Sequence, residues 1–365
     1  MTLPQNVQNA AATQRKLRTL IVDDTALYRR AVSDVLSGME GLEVLGTASN
    51  GRIALARLEE LHPDLMTLDI EMPELNGIEV LEAISAWRKK PGVIVLSSHT
   101  VKGCALTMKA LELGAFDFVT KPEGTSMVKS MEALRQHLDP IIHAFMDRSR
   151  HLAVEAEVPV AAKLRNCATG PKKLVVIGVS TGGPQALTQV LPLLPKDFPL
   201  PILIVQHMPP LFTQALAESL QRKSSIQVKE AEDQEIALPG VAYIAPGGKH
   251  MKVKAGSTGE IRIVLTEDPP EHHCRPSVDY LFRSVALQFP GMSAAIILTG
   301  MGSDGAHGVK LLKKSGSFTI AQDQASSVVF GMPREAIATG CIDEVIALPK
   351  IAAQLMRVVE ESKKA

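Results

Sequence analysis

The sequence predicts an α/β protein made of two tandem domains, each with a mainly parallel sheet. Short apolar runs recur along the chain, helical patterns separate them, and the pattern breaks once, in a mixed stretch at residues 147–173. A chain of 365 residues is also too long for one ordinary core. Residues 1–16 are polar and Ala-rich, without the apolar centre of a signal peptide, and are expected to be a mobile N-terminal segment. The first apolar run, Leu17 to Val22, ends in Asp23-Asp24. Leu65 to Leu68 ends in Asp69, Val93 to Leu96 in Ser97-Ser98, and Phe116 to Thr120 in Lys121-Pro122. A helix is expected from about Ser126 to Met146, where apolar residues fall at helical spacing.

In a parallel sheet all strand C-termini share one edge, so Asp23, Asp24, Asp69, Ser97 and Lys121 are expected to converge there. Clustered carboxylates repel unless a cation holds them, and an all-oxygen donor set suits magnesium. With the ion bound, Asp69 could attack a phosphoryl group while Lys121 offsets charge. The competing reading is that strand-end Asp residues only cap the helices that follow. At these residues the segment from about Leu17 to Leu138 resembles a response-regulator receiver domain. The likeness rests on Asp23-Asp24, on Asp69-Ile-Glu-Met-Pro-Glu-Leu-Asn-Gly77 and on Lys121-Pro122. It implies a flavodoxin-like, five-stranded parallel sheet with Asp69 as phosphoacceptor. It further implies Mg2+ held by Asp24, Asp69 and the Glu71 backbone carbonyl, with Asp23 in support. Ser97 and Lys121 would be the switch residues, with a cis bond at Lys121-Pro122.

Composition narrows the function classes. With 45% apolar and 21% charged residues the chain reads as globular. Lys+Arg and Asp+Glu both total 39, so no excess charge draws it to nucleic acid or an anionic membrane surface. Cys104, Cys167, Cys274 and Cys341 lie far apart and read as reduced thiols of a cytoplasmic protein. No apolar run approaches the ~20 residues that cross a bilayer.

The domains expected are a receiver at 17–138, a helix end and linker at 139–171, and a second α/β domain at 172–360. Strands are expected at Leu174–Val179, Ile202–Gln206, Gly240–Ala245, Arg262–Thr266, Ala294–Thr299 and Ser317–Gln322. Helical patterns fall at Pro184–Leu194, Leu211–Leu220, Ser277–Gln288 and Gly305–Ser315, and an antiparallel hairpin is expected around 240–266.

Gly178-Val-Ser180-Thr-Gly182 follows the first of these strands and opens a helix. The turn could cradle a phosphate or simply be capped by Ser180, but it lacks the lysine of a P-loop and the spacing of a dinucleotide fingerprint. Alternatively, Gly-x-Ser-x-Gly thrusts a nucleophilic hydroxyl out of the sheet edge. A serine nucleophile needs a base and an orienting acid. His207 ends the next buried strand, and Asp304 lies in the glycine-rich turn Thr299-Gly-Met-Gly-Ser-Asp304-Gly305. His307 is the rival base. Structural roles for a strand-end histidine and a capping aspartate stay open at this point. The order Ser, His, Asp is not that of the α/β-hydrolases, in which the acid precedes the histidine.

A receiver followed by Ile177-Gly-Val-Ser-Thr-Gly-Gly183, Gln206-His-Met-Pro209, Thr299-Gly-Met-Gly-Ser-Asp-Gly305 and Ala321-Gln-Asp-Gln-Ala325 is similar to the chemotaxis protein-glutamate methylesterases, the CheB family. Ile244-Ala-Pro-Gly-Gly-Lys-His-Met251, Arg275-Pro-Ser-Val-Asp279 and Phe330-Gly-Met-Pro-Arg-Glu-Ala336 match it as well, so the likeness runs from about Leu17 to Leu348. The resemblance implies a second domain with a doubly wound, mainly parallel methylesterase fold. It also implies Ser180 as nucleophile, His207 as general base, Asp304 as its orienter, and N–H groups near Thr181 and Met301 as the oxyanion hole. Substrates would be glutamate methyl esters, and specific glutamines, on the cytoplasmic helices of chemoreceptors. A histidine kinase of the CheA type would be the phosphodonor, and ester hydrolysis would need no cofactor. Glu267, Asp268, Glu271, His272, His273 and Cys274 show no recognisable metal-ligand spacing, and are expected to border the cleft or lie in a solvated loop. Two other readings stand beside this one: a non-enzymatic regulator that binds receptors or drains phosphoryl groups, and a general esterase or peptidase with the same triad.

Overall fold

The computed structural model describes residues 15–122, 127–153 and 171–364. Nearly all of the expected N-terminal segment, much of the expected linker, and Cys167 lie outside them. The first domain runs β1 (Leu17–Val22), α1 (Ala26–Ser37), β2 (Leu42–Ala48), α2 (Gly51–Leu61), β3 (Leu65–Asp69), α3 (Gly77–Ser85), β4 (Gly92–Ser97), α4 (Val101–Glu112), β5 (Asp117–Thr120) and α5 (Met127–Ala153). Its five strands lie in the order β2-β1-β3-β4-β5, all parallel. Every residue of β3 is buried, as expected where helices cover both faces. The edge strand β2 is mostly half-exposed and carries Glu43, Gly46 and Thr47, which is why no continuous apolar run announces it. Helix α5 continues past the expected Met146 to Ala153 and takes Pro140 in its interior. The expected cis bond at Lys121-Pro122 is absent; among the described residues only Arg275-Pro276 is cis. Trans is the default even before proline.

The second domain runs β6 (Leu174–Val179), α6 (Gly183–Val190), β7 (Ile202–Gln206), α7 (Phe212–Gln221), β8 (Gln227–Glu230), β9 (Val241–Ile244), β10 (His250–Ala255), β11 (Ile261–Thr266), α8 (Val278–Gln288), β12 (Ser293–Ile297), α9 (Ala306–Lys314), β13 (Phe318–Gln322), α10 (Met332–Ala338), β14 (Glu344–Ile346) and α11 (Ile351–Lys364). Seven strands form a parallel sheet in the order β14-β13-β12-β6-β7-β9-β8. The antiparallel hairpin is β10–β11, a separate two-stranded sheet, while β9 belongs to the large sheet. All four residues of β9 are buried, as in the other inner strands, whereas β10 and β11 keep one side toward solvent. The chain leaves β6 toward β7 on one side and later returns through β12 on the other. That reversal opens a crevice at the strand C-termini beside β6. No helix among the described residues is long and apolar enough to cross a membrane.

The two domains share a buried seam. Phe118 of β5 stacks on Phe212 of α7 with centroids 4.5 Å apart, a contact worth about 0.5–1.5 kcal/mol beyond its area. Gln185 of α6 donates to the carbonyl oxygens of Leu111 and Ala115, at 2.9 and 2.8 Å. Glu112 at the end of α4 pairs with Lys223 at 2.7 Å and accepts from Ser219 of α7. The α4–β5 face of the first domain therefore packs on α6 and α7 of the second.

Candidate active site

At the first sheet edge, Asp23, Asp24 and Asp69 each offer an oxygen within 4.8 Å of the others. Asp23 and Asp69 are buried and Asp24 is exposed. Lys121 reaches both buried carboxylates, with Nζ 2.7 Å from Asp23 Oδ2 and 2.7 Å from Asp69 Oδ2. Burial pushes the Asp69 carboxyl up, the Asp23 charge adds to this, and Lys121 counters only part of it, leaving the pKa at about 6. A hard divalent cation fits this donor set, because only oxygens are offered and their charge is incompletely balanced. The Glu71 N–H donates to Asp69 Oδ1 at 3.2 Å, so the turn after β3 folds back over the carboxylate. Ser97 faces α4 instead, accepting from the Thr107 hydroxyl at 2.6 Å.

At the second edge, Ser180 directly follows β6 and His207 directly follows β7. The paired residues Val179 and Gln206 immediately precede them, and the His207 N–H donates to the Val179 carbonyl at 3.2 Å. The Ser180 backbone is fixed on three sides: its N–H donates to Thr299 at 3.0 Å, and its carbonyl accepts from Gly183 N–H at 2.7 Å and Gln206 Nε2 at 3.0 Å. Gly182 follows with φ +78°, the left-handed region that favours glycine, and opens α6. Gly300 passes against Ser180 so closely that a Cβ there would lie 2.8 Å from the Ser180 Cβ.

His207 Nε2 lies 2.8 Å from Asp304 Oδ2, so it is His207, not His307, whose ring meets this carboxylate. Asp304 sits at the N-terminus of α8 and accepts three more hydrogen bonds, from Val278 N–H at 2.7 Å, Asp279 N–H at 2.9 Å and Ser277 Oγ at 3.0 Å. Burial alone would raise the Asp304 carboxyl, but His207 and these N–H donors outweigh it and hold the group below the usual carboxylate range. Burial likewise works to lower the His207 imidazole. Hydrogen bonds to Asp304 and to Cys274, with the charges on both, reverse that and push it up to about 9. Asp304 thus engages the imidazole through Nε2.

Sequence reasoning missed several residues here. The Ser277–Asp279 cage carries no sequence signal beyond a matching motif, whereas Cys274 lies against His207, in keeping with the expectation that its cluster borders the cleft. Asp117 of β5 also escaped notice: it shares a hydrogen bond with Thr181, the neighbour of Ser180. Burial, which the Thr181 and Phe118 hydrogen bonds only partly offset, raises the Asp117 pKa to about 6. His272, expected at the cleft border or in a solvated loop, bonds Asp279 Oδ2 through Nε2 at 3.0 Å.

Residues 175–355 match the CheB methylesterase family and residues 19–132 the response regulator receiver domain. The chain is 48% identical to a protein-glutamate methylesterase/protein-glutamine glutaminase of Desulfotalea psychrophila, across 95% of this chain and 99% of that one. It is 42% identical to the protein of that name from Bacillus subtilis, again across 95% and 99%. The Thermotoga maritima CheB methylesterase catalytic domain superposes with a TM-score of 0.51 at 45% identity, covering 52% of this chain and 99% of that one.

Proposed function

Since the chain belongs to the CheB family of protein-glutamate methylesterases/protein-glutamine glutaminases, we propose that Ser180, His207 and Asp304 are the triad by which it works. The protein hydrolyses glutamate methyl esters of chemoreceptors, releasing methanol, and deamidates receptor glutamines to glutamate, under control of a phosphorylated receiver. The observation that carries the triad is the Asp304–His207 contact of 2.8 Å at the strand end next to Ser180.

In this reading Ser180 Oγ attacks the γ-carbonyl while His207 takes its proton. Asp304 steadies the imidazolium through Nε2. The N–H groups of Thr181 and Met301 receive the oxyanion, each worth about 3 kcal/mol of transition-state stabilisation. His207 returns the proton to the leaving methanol, or to ammonia when the substrate is glutamine. It then activates the water that frees the glutamate. A general base must be neutral, so an imidazole pushed up to about 9 makes hydrolysis faster as pH rises toward that value.

Receiver domains are phosphorylated with Mg2+, which supplies positive charge for transfer to the acceptor carboxylate. Here Asp23, Asp24, Asp69 and the Glu71 carbonyl would hold the ion, and Asp69 would carry the phosphoryl group. The donor is a histidine kinase of the CheA type, and the substrates are cytoplasmic helices of methyl-accepting receptors. The unphosphorylated receiver restrains the enzyme: Asp117 engages Thr181 while α4 and β5 occupy the flank of α6 and α7. Phosphorylation, read through Ser97 and Lys121, loosens that seam.

The test is methanol release from radiomethylated receptor membranes. Wild type should release label and Ser180→Ala should not. Release by Ser180→Ala at the wild-type rate would move the nucleophile elsewhere, and no release by wild type would return the protein to the class of non-enzymatic regulators.

A further inference from the structure

Beside the Ser180 site lies a second buried carboxylate that the reaction does not use. Asp279, in the first turn of α8, is 2% exposed. One of its oxygens accepts from the Gly308 N–H of α9 at 2.6 Å, and the other meets His272 Nε2 at 3.0 Å. Its own backbone N–H donates to Asp304 Oδ1 at 2.9 Å. The two helices are thus reciprocally locked: the start of α8 binds the acid in the loop before α9, and the start of α9 binds the acid of α8. His272, Asp279 and Asp304 also bring one polar atom each to within 4.8 Å of one another. Two carboxylates this close and this buried act on each other's charge, and the outer one carries a histidine that the inner one does not share.

We propose that Asp279, held by His272, is a positioning residue of the esterase centre that sets the proton affinity of His207 through Asp304. This deepens the triad reading and rests on it. Asp304 holds its charge against an imidazole on one side and a like charge on the other. Any charge left on Asp279 therefore adds to the negative field that keeps His207 protonated. His272 tempers that field by donating to Asp279. The raised carboxyl of Asp279 agrees with this: burial is the main cause and the Asp304 charge adds to it, with the Gly308 and His272 hydrogen bonds in opposition. The other groups in the neighbourhood are few. Arg283, on the same helix, is held by Glu271 at 2.6 Å, Cys274 lies against His207, and the neutral-leaning His250 accepts from the Ser277 N–H at 3.2 Å.

The experiment is the pH profile of kcat/KM for methanol release by the full-length protein, in wild type, Asp279→Asn, His272→Ala and His272→Gln. Asp279→Asn keeps the side-chain shape and removes one charge. Its midpoint should move to lower pH by about one unit, with the high-pH plateau within about threefold of wild type. His272→Ala leaves the Asp279 charge uncompensated, and its midpoint should move to higher pH by a few tenths of a unit; His272→Gln restores a donor and should return it. A purely structural Asp279 would instead lower the plateau with the midpoint unmoved, and that result overturns the proposal. Should Asp279→Asn fail to fold, the exposed His272 pair decides alone: equal midpoints in His272→Ala and wild type overturn it. Full activity of Asp304→Asn would be a different failure, that of the triad reading itself.

Discussion

At the receiver's sheet edge, three carboxylates crowd together with one lysine between the two buried members. At the esterase edge one buried carboxylate, Asp304, is met by an imidazole, two backbone N–H groups and a hydroxyl. Both lie at the C-terminal ends of parallel strands. Yet burial wins at Asp69, whose pKa rises to about 6, and loses at Asp304, which is held below its usual range. Burial is the largest single influence on each. The difference is the number and placement of donors: Lys121 is shared between two acids, whereas Asp304 owns four donors. The first edge leaves its carboxylates underpaired, and the second favours an anion beside an imidazole. One is suited to being switched and the other to being ready.

The comparison is broken most severely at the esterase edge. Ser180→Ala should cost about 10⁶-fold in kcat and Asp304→Asn about 10⁴-fold, by analogy with other serine triads. Asp69→Asn should leave the unphosphorylated rate near wild type and abolish only its stimulation by acetyl phosphate. If Asp69→Asn lost as much as Ser180→Ala, the two edges would not have separate roles. Next in size is the seam between them. A protein lacking residues 1–170 should be faster than the unphosphorylated whole by about tenfold, within the usual span of such couplings. An unchanged or lower rate removes the restraint.

Gln185→Ala sharpens the same point on a smaller scale. It deletes two hydrogen bonds to the ends of α4 and β5's approach. At about 1 kcal/mol each, mostly felt in the docked state, their loss weakens docking by up to about thirtyfold, so the unphosphorylated rate should rise toward, and not beyond, that of the truncated protein. The smallest effect is a pH shift. Cys274→Ala removes one of the groups that raise His207, so its activity should reach half-maximum at lower pH than wild type. The sign for stability runs with it. Because the folded imidazole is raised to about 9, its contribution is fully present below the unfolded value near 6.5 and is lost as pH rises through about 9. Thermal unfolding of wild type and His207→Gln across pH 6 to 10 should therefore converge at the alkaline end.

Much of the fold could be read because the inner strands are continuous buried runs that end in polar motifs. Leu174–Val179 and Ile202–Gln206 are expected and found at the same residues. β8 and β14 were invisible for the opposite reason: Gln227–Glu230 and Glu344–Ile346 are short, mixed edge strands whose place comes from their neighbours. The hairpin expected around 240–266 is found within those bounds as β10–β11, but its first strand, His250–Ala255, gives no continuous apolar run and was not among the expected strands. At the site, Ser180, His207 and Asp304 could be proposed from strand ends alone. The cage around Asp304 could not, since backbone N–H groups leave no mark in a sequence. Nor could Asp117, whose partner Thr181 lies in the other domain.

The most direct test of the linked edges is one assay: methanol release from radiomethylated receptor membranes, with and without acetyl phosphate and Mg2+, by wild type, Asp69→Asn and Ser180→Ala. The account predicts stimulated release by wild type, an unstimulated basal rate for Asp69→Asn, and none for Ser180→Ala in either condition. Stimulation that survives Asp69→Asn, or release that survives Ser180→Ala, would contradict it.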